Sequence, residues 1–168
     1  PWNDKVNDQE NERLTMTIRS TTLRIGIVLA VVYLAACQSA LTKGKLYMRD
    51  GNDDEALSYL EQARIKRPDD PEIHFLIGTV YARRGEYVSM NQAFEQSLEL
   101  GDDHYLGVVR ERNDYFTTEY NRGVSLLKNT TDYPAAVQAF SQTTVIDPGQ
   151  AVGWRNLGYS YFKLDSLA

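Results

Sequence analysis

The sequence predicts an all-α protein, a right-handed solenoid in which helical hairpins stack side by side. One observation is that small and aromatic residues recur 34 residues apart, a period typical of hairpin repeats. Another is that this recurrence continues over most of the chain, so each unit can cover the apolar side that its neighbour cannot bury alone. The recurring pairs are Gly44/Gly78, Tyr47/Tyr81, Gly51/Gly85, Ala56/Met90, Leu60/Phe94, Ala63/Ser97 and Pro68/Asp102.

Residues 1–15 form a polar segment that is rich in Asn, Asp and Glu. This composition is typical of a disordered extension. The segment does not begin with methionine, and Met16 stands where a signal peptide of ordinary length would start. We therefore expect residues 1–15 to be either disordered or not translated.

Residues 16–36 have the layout of a secretory signal peptide. A short basic stretch ends at Arg24, and an apolar run begins at Ile25. A membrane-spanning helix is the first alternative, but a bilayer core needs about 20 apolar residues and this run is shorter. A buried core helix is the second, and it would lack a partner layer at this point of the chain. The sequence therefore favours an N-terminal signal helix.

The signal segment ends in Leu34-Ala35-Ala36-Cys37, which resembles the lipobox of bacterial lipoproteins. The resemblance implies that Cys37, the only cysteine, carries a covalent diacylglyceryl lipid and becomes the first residue of the mature protein. Gln38 stands where enteric bacteria place an aspartate for inner-membrane retention. By that family rule the anchor lies in the outer membrane and faces the periplasm.

Near the C-terminus, Trp154, Leu157, Gly158 and Tyr161 reproduce the pattern W-x2-L-G-x2-Y. The second-helix pattern, A-x3-F-x2-A followed by proline, resembles a stretch that contains Ala136, Phe140, Thr143 and Pro148. Together these residues resemble the tetratricopeptide repeat (TPR) family. The resemblance implies four first helices and three second helices between Ser39 and Leu164. Residues 37–168 then form one TPR domain, with units at 38–70, 71–103, 116–150 and a truncated 151–168.

The repeat spacing lengthens once, because Gly78 and Gly123 are 45 residues apart rather than 34. This difference indicates an insertion over residues 104–115. Apolar residues at helical spacing continue through it, so the sequence predicts one lengthened helix around 104–127. We expect Asp102–Asp103 to cap its N-terminus, as acidic pairs do before other predicted helices.

Composition and motifs exclude several classes of function. The formal net charge of −5 argues against nucleic acid as the principal partner. The two histidines, His74 and His104, lie in different units and belong to no metal-binding pattern. No phosphate loop or nucleophile motif occurs. The sequence therefore predicts no catalysis, no metal and no cofactor other than the lipid on Cys37.

The TPR resemblance implies a partner groove on the concave face, which the first helices line. Aromatic and cationic side chains there suit an extended segment or a helix of a protein partner, with Arg155 available for a carboxylate. The alternative is that Tyr120, Tyr159 and Phe162 only fill packing positions. The candidate groove residues are Phe75, Thr79, Tyr120, Asn121, Val124, Arg155, Asn156, Tyr159 and Phe162.

Two classes of function agree with these features. The first is a lipid-anchored scaffold or adaptor that binds proteins at the bacterial cell envelope. The second is the recognition and anchoring arm of a larger envelope enzyme or sensor, whose catalytic domain lies beyond Ala168. The second class stays open because the chain looks truncated at both ends, with the fourth unit stopping after its first helix.

Overall fold

The computed structural model describes residues 40–166. The polar segment 1–15, the signal peptide 16–36 and Cys37 lie outside the described residues. Every regular element between residues 40 and 166 is helical, which confirms the all-α prediction. The helices are α1 at residues 40–49, α2 Asp53–Lys66, α3 Pro71–Arg83, α4 Tyr87–Leu100, α5 Tyr105–Ser125, α6 Tyr133–Ile146 and α7 Ala151–Asp165.

These helices form the predicted repeat. α1 and α2 form the first hairpin, α3 and α4 the second, and α5 and α6 the third, and α7 packs against α6. Adjacent units are in contact, because α2 packs on α3 and α4 packs on α6. With α1 as the first helix of the first hairpin, residues 40–166 contain the four first helices and three second helices that the sequence predicts.

Each hairpin is closed by a glycine on its first helix and a large side chain on its second. A Cβ atom added to Gly78 would lie 2.4 Å from the Phe94 ring, and one added to Gly123 would lie 2.6 Å from the Phe140 ring. A Cβ at Gly44 would lie 2.8 Å from the Leu60 side chain. These distances are too short for real atoms, so only glycine allows the two helices to approach this closely.

The lengthened helix of the prediction is α5, which has 21 residues. It continues into one π-helical turn, Leu126–Thr130, and the left-handed Thr131 ends it at φ 51°. The prediction of an Asp102–Asp103 cap is wrong. His104 occupies the N-cap, and its side chain makes no capping bond. A capping carboxylate must accept from the amides of the first turn, and here the Asp102 backbone carbonyl accepts from the Tyr105 amide instead.

One apolar cluster joins the second and third hairpins and α7. Its fully buried members are Ala82, Tyr87, Met90, Phe94, Val108, Phe116 and Ile146. Val108 lies in the first half of α5 and Phe116 in its second half. The first half of α5 therefore packs on the second hairpin, and the second half packs on α6, the other helix of its own hairpin. In the part of the chain that the structure describes, every buried side-chain nitrogen and oxygen has a hydrogen-bond partner. This packing holds the first helices in fixed positions.

Candidate partner-binding surface

The first half of α5 covers the face of α3 that the sequence assigned to the groove. The Phe75 ring stacks on His104 with centroids 4.9 Å apart. A Cβ on Gly107 would lie 2.9 Å from the Phe75 ring tip, so α5 passes directly over it. Thr79 is buried, and its hydroxyl donates to the Phe75 carbonyl at 3.1 Å. Phe75 is therefore half-buried under the start of α5, and Thr79 is not open to a partner.

Tyr120 also packs inside the protein. Its ring stacks on Phe116 at 6.1 Å and meets the edge of Phe140 at 5.8 Å. Val124, four residues further along α5, is half-buried, whereas the neighbouring Asn121 is exposed. The second half of α5 therefore exposes Asn121 and part of Val124. The ring contacts of Tyr120 agree with the alternative that this residue fills a packing position.

The remaining candidates lie on α7, and three of them share one open side. Arg155, Tyr159 and Phe162 are spaced four and three residues apart, which places them along one helix face. Tyr159 is 49% exposed and Phe162 is 67% exposed. The Lys163 ammonium lies 5.7 Å from the centre of the Tyr159 ring. Asn156 is half-buried, and its amide nitrogen donates to the Val152 carbonyl at 2.9 Å. We call Arg155, Tyr159 and Phe162 the α7 side face.

A second open surface on α7 carries residues of the repeat pattern itself, as the sequence predicted for a unit that stops after its first helix. Trp154 is 53% exposed, Tyr161 is 48% exposed, and Gly158 is exposed with no atom within 4 Å of its Cβ direction. We call Trp154, Gly158 and Tyr161 the α7 outer face.

Three groups with raised pKa values lie at the junction of α4 and α5. Burial raises the pKa of the Tyr87 phenol, and Glu119, which accepts its hydrogen bond at 3.1 Å, raises it further. Burial also raises the pKa of the Glu111 carboxyl and of the Tyr115 phenol.

A cavity of about 240 Å³ opens between α2, α3 and α4. Several of its polar side chains are held by other groups of the protein. The His74 ring donates from Nε2 to the Pro68 carbonyl at 2.7 Å, and Arg64 pairs with Glu61 at 2.7 Å. The lining residues are Glu61, Arg64, His74, Ile77, Tyr81, Ser89, Gln92, Ala93 and Gln96.

Between residues 40 and 166 no three His, Cys, Asp or Glu side chains converge as metal ligands would. None of the described helices combines the length and hydrophobicity that a bilayer crossing requires.

Comparison with known proteins matches residues 41–104 to the sequence model of the tetratricopeptide repeat family. The matched segment runs from α1 to α4 and so covers the first two hairpins. The third hairpin repeats their glycine contact at Gly123 and Phe140. No curated protein matches the chain.

Proposed function

Because this chain is a tetratricopeptide repeat protein, we propose that it is a scaffold or adaptor that holds protein partners at a bacterial cell envelope through a lipid on Cys37. Tetratricopeptide repeats bind protein partners and are generally not catalytic. The described residues agree with a binding role, since the open surfaces of α7 carry aromatic and cationic side chains.

The α7 side face carries this proposal. Tyr159 and Phe162 expose apolar rings that cost little conformational entropy to immobilise, which is why aromatic residues dominate binding hot spots. Arg155 makes no ion pair within the described residues, so its guanidinium is available to a partner carboxylate. Asn121 lies on the preceding first helix and offers an amide to a peptide backbone. The partner that fits is a peptide or helix with apolar side chains and an acidic group.

The cell-envelope part of the proposal rests on the N-terminal sequence. A basic stretch, an apolar run and the motif Leu34-Ala35-Ala36-Cys37 occur in the order that lipoprotein export requires. A lipid at Cys37 would tether the repeats to a membrane by acyl chains, each buried CH₂ contributing about 0.8 kcal/mol. Gln38 favours the outer membrane, with the repeats on its periplasmic side.

Site-directed photocrosslinking in cells tests the binding surface. A benzoylphenylalanine at position 159 should capture a protein partner, because Tyr159 lies on the α7 side face. The matched control is the same probe at position 65, since Ile65 is 76% exposed but lies on the second helix α2. Discrete adducts at position 159 and none at position 65 support the proposal. Equal adducts at both positions, or none at either, contradict it.

Metabolic labelling with radioactive palmitate tests the anchor separately. The natural chain should incorporate the label, whereas Cys37→Ala should remain an unlabelled precursor. Ser39→Ala, two residues further on, is the control and should behave like the natural chain. If Cys37→Ala were labelled as strongly as the control, the lipid would sit elsewhere and this part of the proposal would be wrong.

A further inference from the structure

The cavity between α2, α3 and α4 has a buried floor and a polar rim. His74, Ile77 and Ala93 are the buried residues that line it. The rim carries polar side chains from both second helices, which are Glu61 and Arg64 of α2 and Ser89, Gln92 and Gln96 of α4. All of these residues belong to the first two hairpins. The cavity is therefore separate from the α7 side face, on which the partner-binding proposal rests.

The repeat pattern explains why a cavity opens here. In the second unit, the W, L and Y positions of W-x2-L-G-x2-Y are occupied by His74, Ile77 and Tyr81, and all three line the cavity. The fourth unit has Trp154 at the first of these positions. An indole contains a six-membered ring that an imidazole lacks. The second unit thus carries a smaller ring than the pattern provides for, and space remains beside it.

His74 and Trp154 are anchored in the same way. Trp154 donates from Nε1 to the Pro148 carbonyl at 3.0 Å, and His74 donates from Nε2 to the Pro68 carbonyl at 2.7 Å. In each side chain this nitrogen is separated from Cγ by one ring carbon, so the two five-membered rings are held by equivalent atoms. The part of an indole that has no counterpart in His74 is its six-membered ring.

The volume of the cavity limits the size of a ligand. It measures about 240 Å³. An apolar cavity of about 150 Å³ accepts benzene, whereas pockets for drug-sized ligands have about 300–1,000 Å³. A single bicyclic aromatic ring with at most a short substituent lies between these limits.

The rim provides hydrogen-bond partners for such a ring. Glu61 accepts from Arg64 Nε through Oε2 at 2.7 Å, and a carboxylate has further lone pairs for an N–H donor. The Gln92 side chain, which lines the cavity from α4, has an amide oxygen as a second acceptor. The Arg64 guanidinium is a group that is attracted to the face of an aromatic ring. This rim suits a flat aromatic molecule that carries an N–H group.

We propose that this cavity binds a small indole-class molecule, a flat bicyclic aromatic compound with one N–H donor. Its ring fills the space that the repeat pattern gives to tryptophan, and its N–H donates to Glu61 or Gln92. In that position the molecule contacts both α2 and α4, and so it joins the first hairpin to the second. Binding requires neither the lipid on Cys37 nor the α7 side face.

Saturation-transfer NMR of the full chain, with indole as the probe, tests the site. The natural chain should transfer saturation to indole, and a titration gives the dissociation constant. His74→Trp should raise that constant at least tenfold, because its own indole fills the cavity and can keep the bond to the Pro68 carbonyl, as Trp154 does at Pro148. Gln138→Trp, on the exposed side of α6, is the matched control and should bind indole as the natural chain does.

Ala93→Leu is a second blocking variant, which fills the cavity from α4. It keeps the test decisive if circular dichroism shows that His74→Trp does not fold. It should also raise the dissociation constant at least tenfold. Absence of saturation transfer to indole in the natural chain overturns the proposal. So does a folded blocking variant that binds indole as tightly as the Gln138→Trp control.

Thermal unfolding provides an independent measurement. A ligand that binds only the folded chain stabilises it by mass action. Indole should therefore raise the unfolding midpoint of the natural chain and of Gln138→Trp, but not that of His74→Trp. An equal rise in all three chains would mean that indole binds outside the cavity and would contradict the proposal.

N-acetyl-tryptophanamide distinguishes a free ligand from a tryptophan side chain of a protein partner. It carries the same ring on a peptide-like backbone. We expect it to bind more weakly than indole, because the added backbone exceeds the short substituent that the cavity volume allows. Equal or tighter binding of N-acetyl-tryptophanamide would assign the cavity to a partner's side chain and overturn the proposal of a small-molecule site.

Discussion

At the scale of single residues, small side chains determine how closely the helices approach. Ala63, Ser97 and Thr143 occupy the same repeat position on α2, α4 and α6, and all three are almost fully buried. The two hydroxyls are tolerated there because each has an acceptor within reach. Ser97 donates to the Pro71 carbonyl at 2.8 Å, and Thr143 donates to the Phe140 carbonyl at 2.7 Å. A buried hydroxyl without such a bond would destabilise the fold.

The clearest single-residue prediction concerns Gly78. Gly78→Ala should lower the free energy of unfolding by about 1–3 kcal/mol, because the new methyl group would overlap the buried Phe94 ring. Guanidinium unfolding followed by circular dichroism measures the change.

Gly101→Ala is the matched control for that substitution. Its backbone is extended at φ 168°, and no atom lies within 4 Å of the new methyl. We expect it to be neutral or slightly stabilising, since alanine restricts the unfolded chain. If Gly78→Ala were as stable as this control, the glycine contact would not limit the helix spacing.

At the scale of elements, α5 determines which parts of the repeat are open. A regular first helix would leave part of the preceding first helix accessible, but α5 runs across α3 and lies against the Phe75 ring. Polar contacts hold the junction. The Asn91 amide on α4 donates to the Val145 carbonyl of α6 at 2.6 Å and accepts from Arg112 of α5 at 2.8 Å. One side chain thereby connects three helices.

Removing the Asn91 side chain should lower the stability of the fold, and its effect should be coupled to that of removing Arg112. Asn91→Ala should lower the free energy of unfolding by about 1–3 kcal/mol, because it leaves half-buried polar groups unpaired. In a double-mutant cycle with Arg112→Ala, we expect a coupling energy between about 0.5 and 3 kcal/mol.

The exposed ion pair of Lys45 and Glu72, 2.7 Å apart, is the reference cycle. Its side chains are 44% and 40% exposed, so its coupling energy should stay below about 1 kcal/mol. If Asn91 and Arg112 were coupled no more strongly than this surface pair, their bond would not stabilise the junction.

The hairpins could be predicted from the sequence because their closest contacts join residues at a fixed separation. Gly78 and Phe94 are 16 residues apart, and so are Gly44 and Leu60. The position of α5 over Phe75 could not be predicted in this way. Periodicity indicates that residues 104–115 continue a helix, but it gives no information about which neighbouring face that helix will cover. Phe75 therefore matched the groove pattern although Gly107 lies against it.

The sequence predicted the lengthened helix around 104–127, and α5 confirms it at Tyr105–Ser125, but the π-turn that follows could not be predicted. The extra residue in the π-turn changes the direction of the chain before α6 begins. Asp132 then caps α6, its carboxylate accepting from the Ala135 amide at 3.0 Å. Such an adjustment depends on where α6 packs, and local composition does not encode it.

At the scale of the whole molecule, the second and third hairpins and α7 share one apolar cluster instead of stacking as separate units. Phe116 belongs to the cluster that includes Met90 of α4 and Ile146 of α6. A Cβ on Gly153 of α7 would lie 3.6 Å from the Phe116 ring. The same side chain therefore contacts or neighbours elements from both hairpins and from α7. Such shared packing makes neighbouring repeats unfold together.

Phe116→Ala should therefore destabilise all of these helices and not α5 alone. We expect the free energy of unfolding to fall by about 3–5 kcal/mol, the usual cost of truncating a buried phenylalanine. In a Trp2→Phe background, Trp154 fluorescence reports on α7 and far-ultraviolet circular dichroism reports on all helices. The two transitions should shift to lower denaturant by the same amount, because one cooperative unit has lost a shared contact. Leu106→Ala on the same helix is the control, and at 79% exposure it should change stability by less than about 0.5 kcal/mol. Separate shifts of the two signals would mean that α7 unfolds independently and that Phe116 does not couple the repeats.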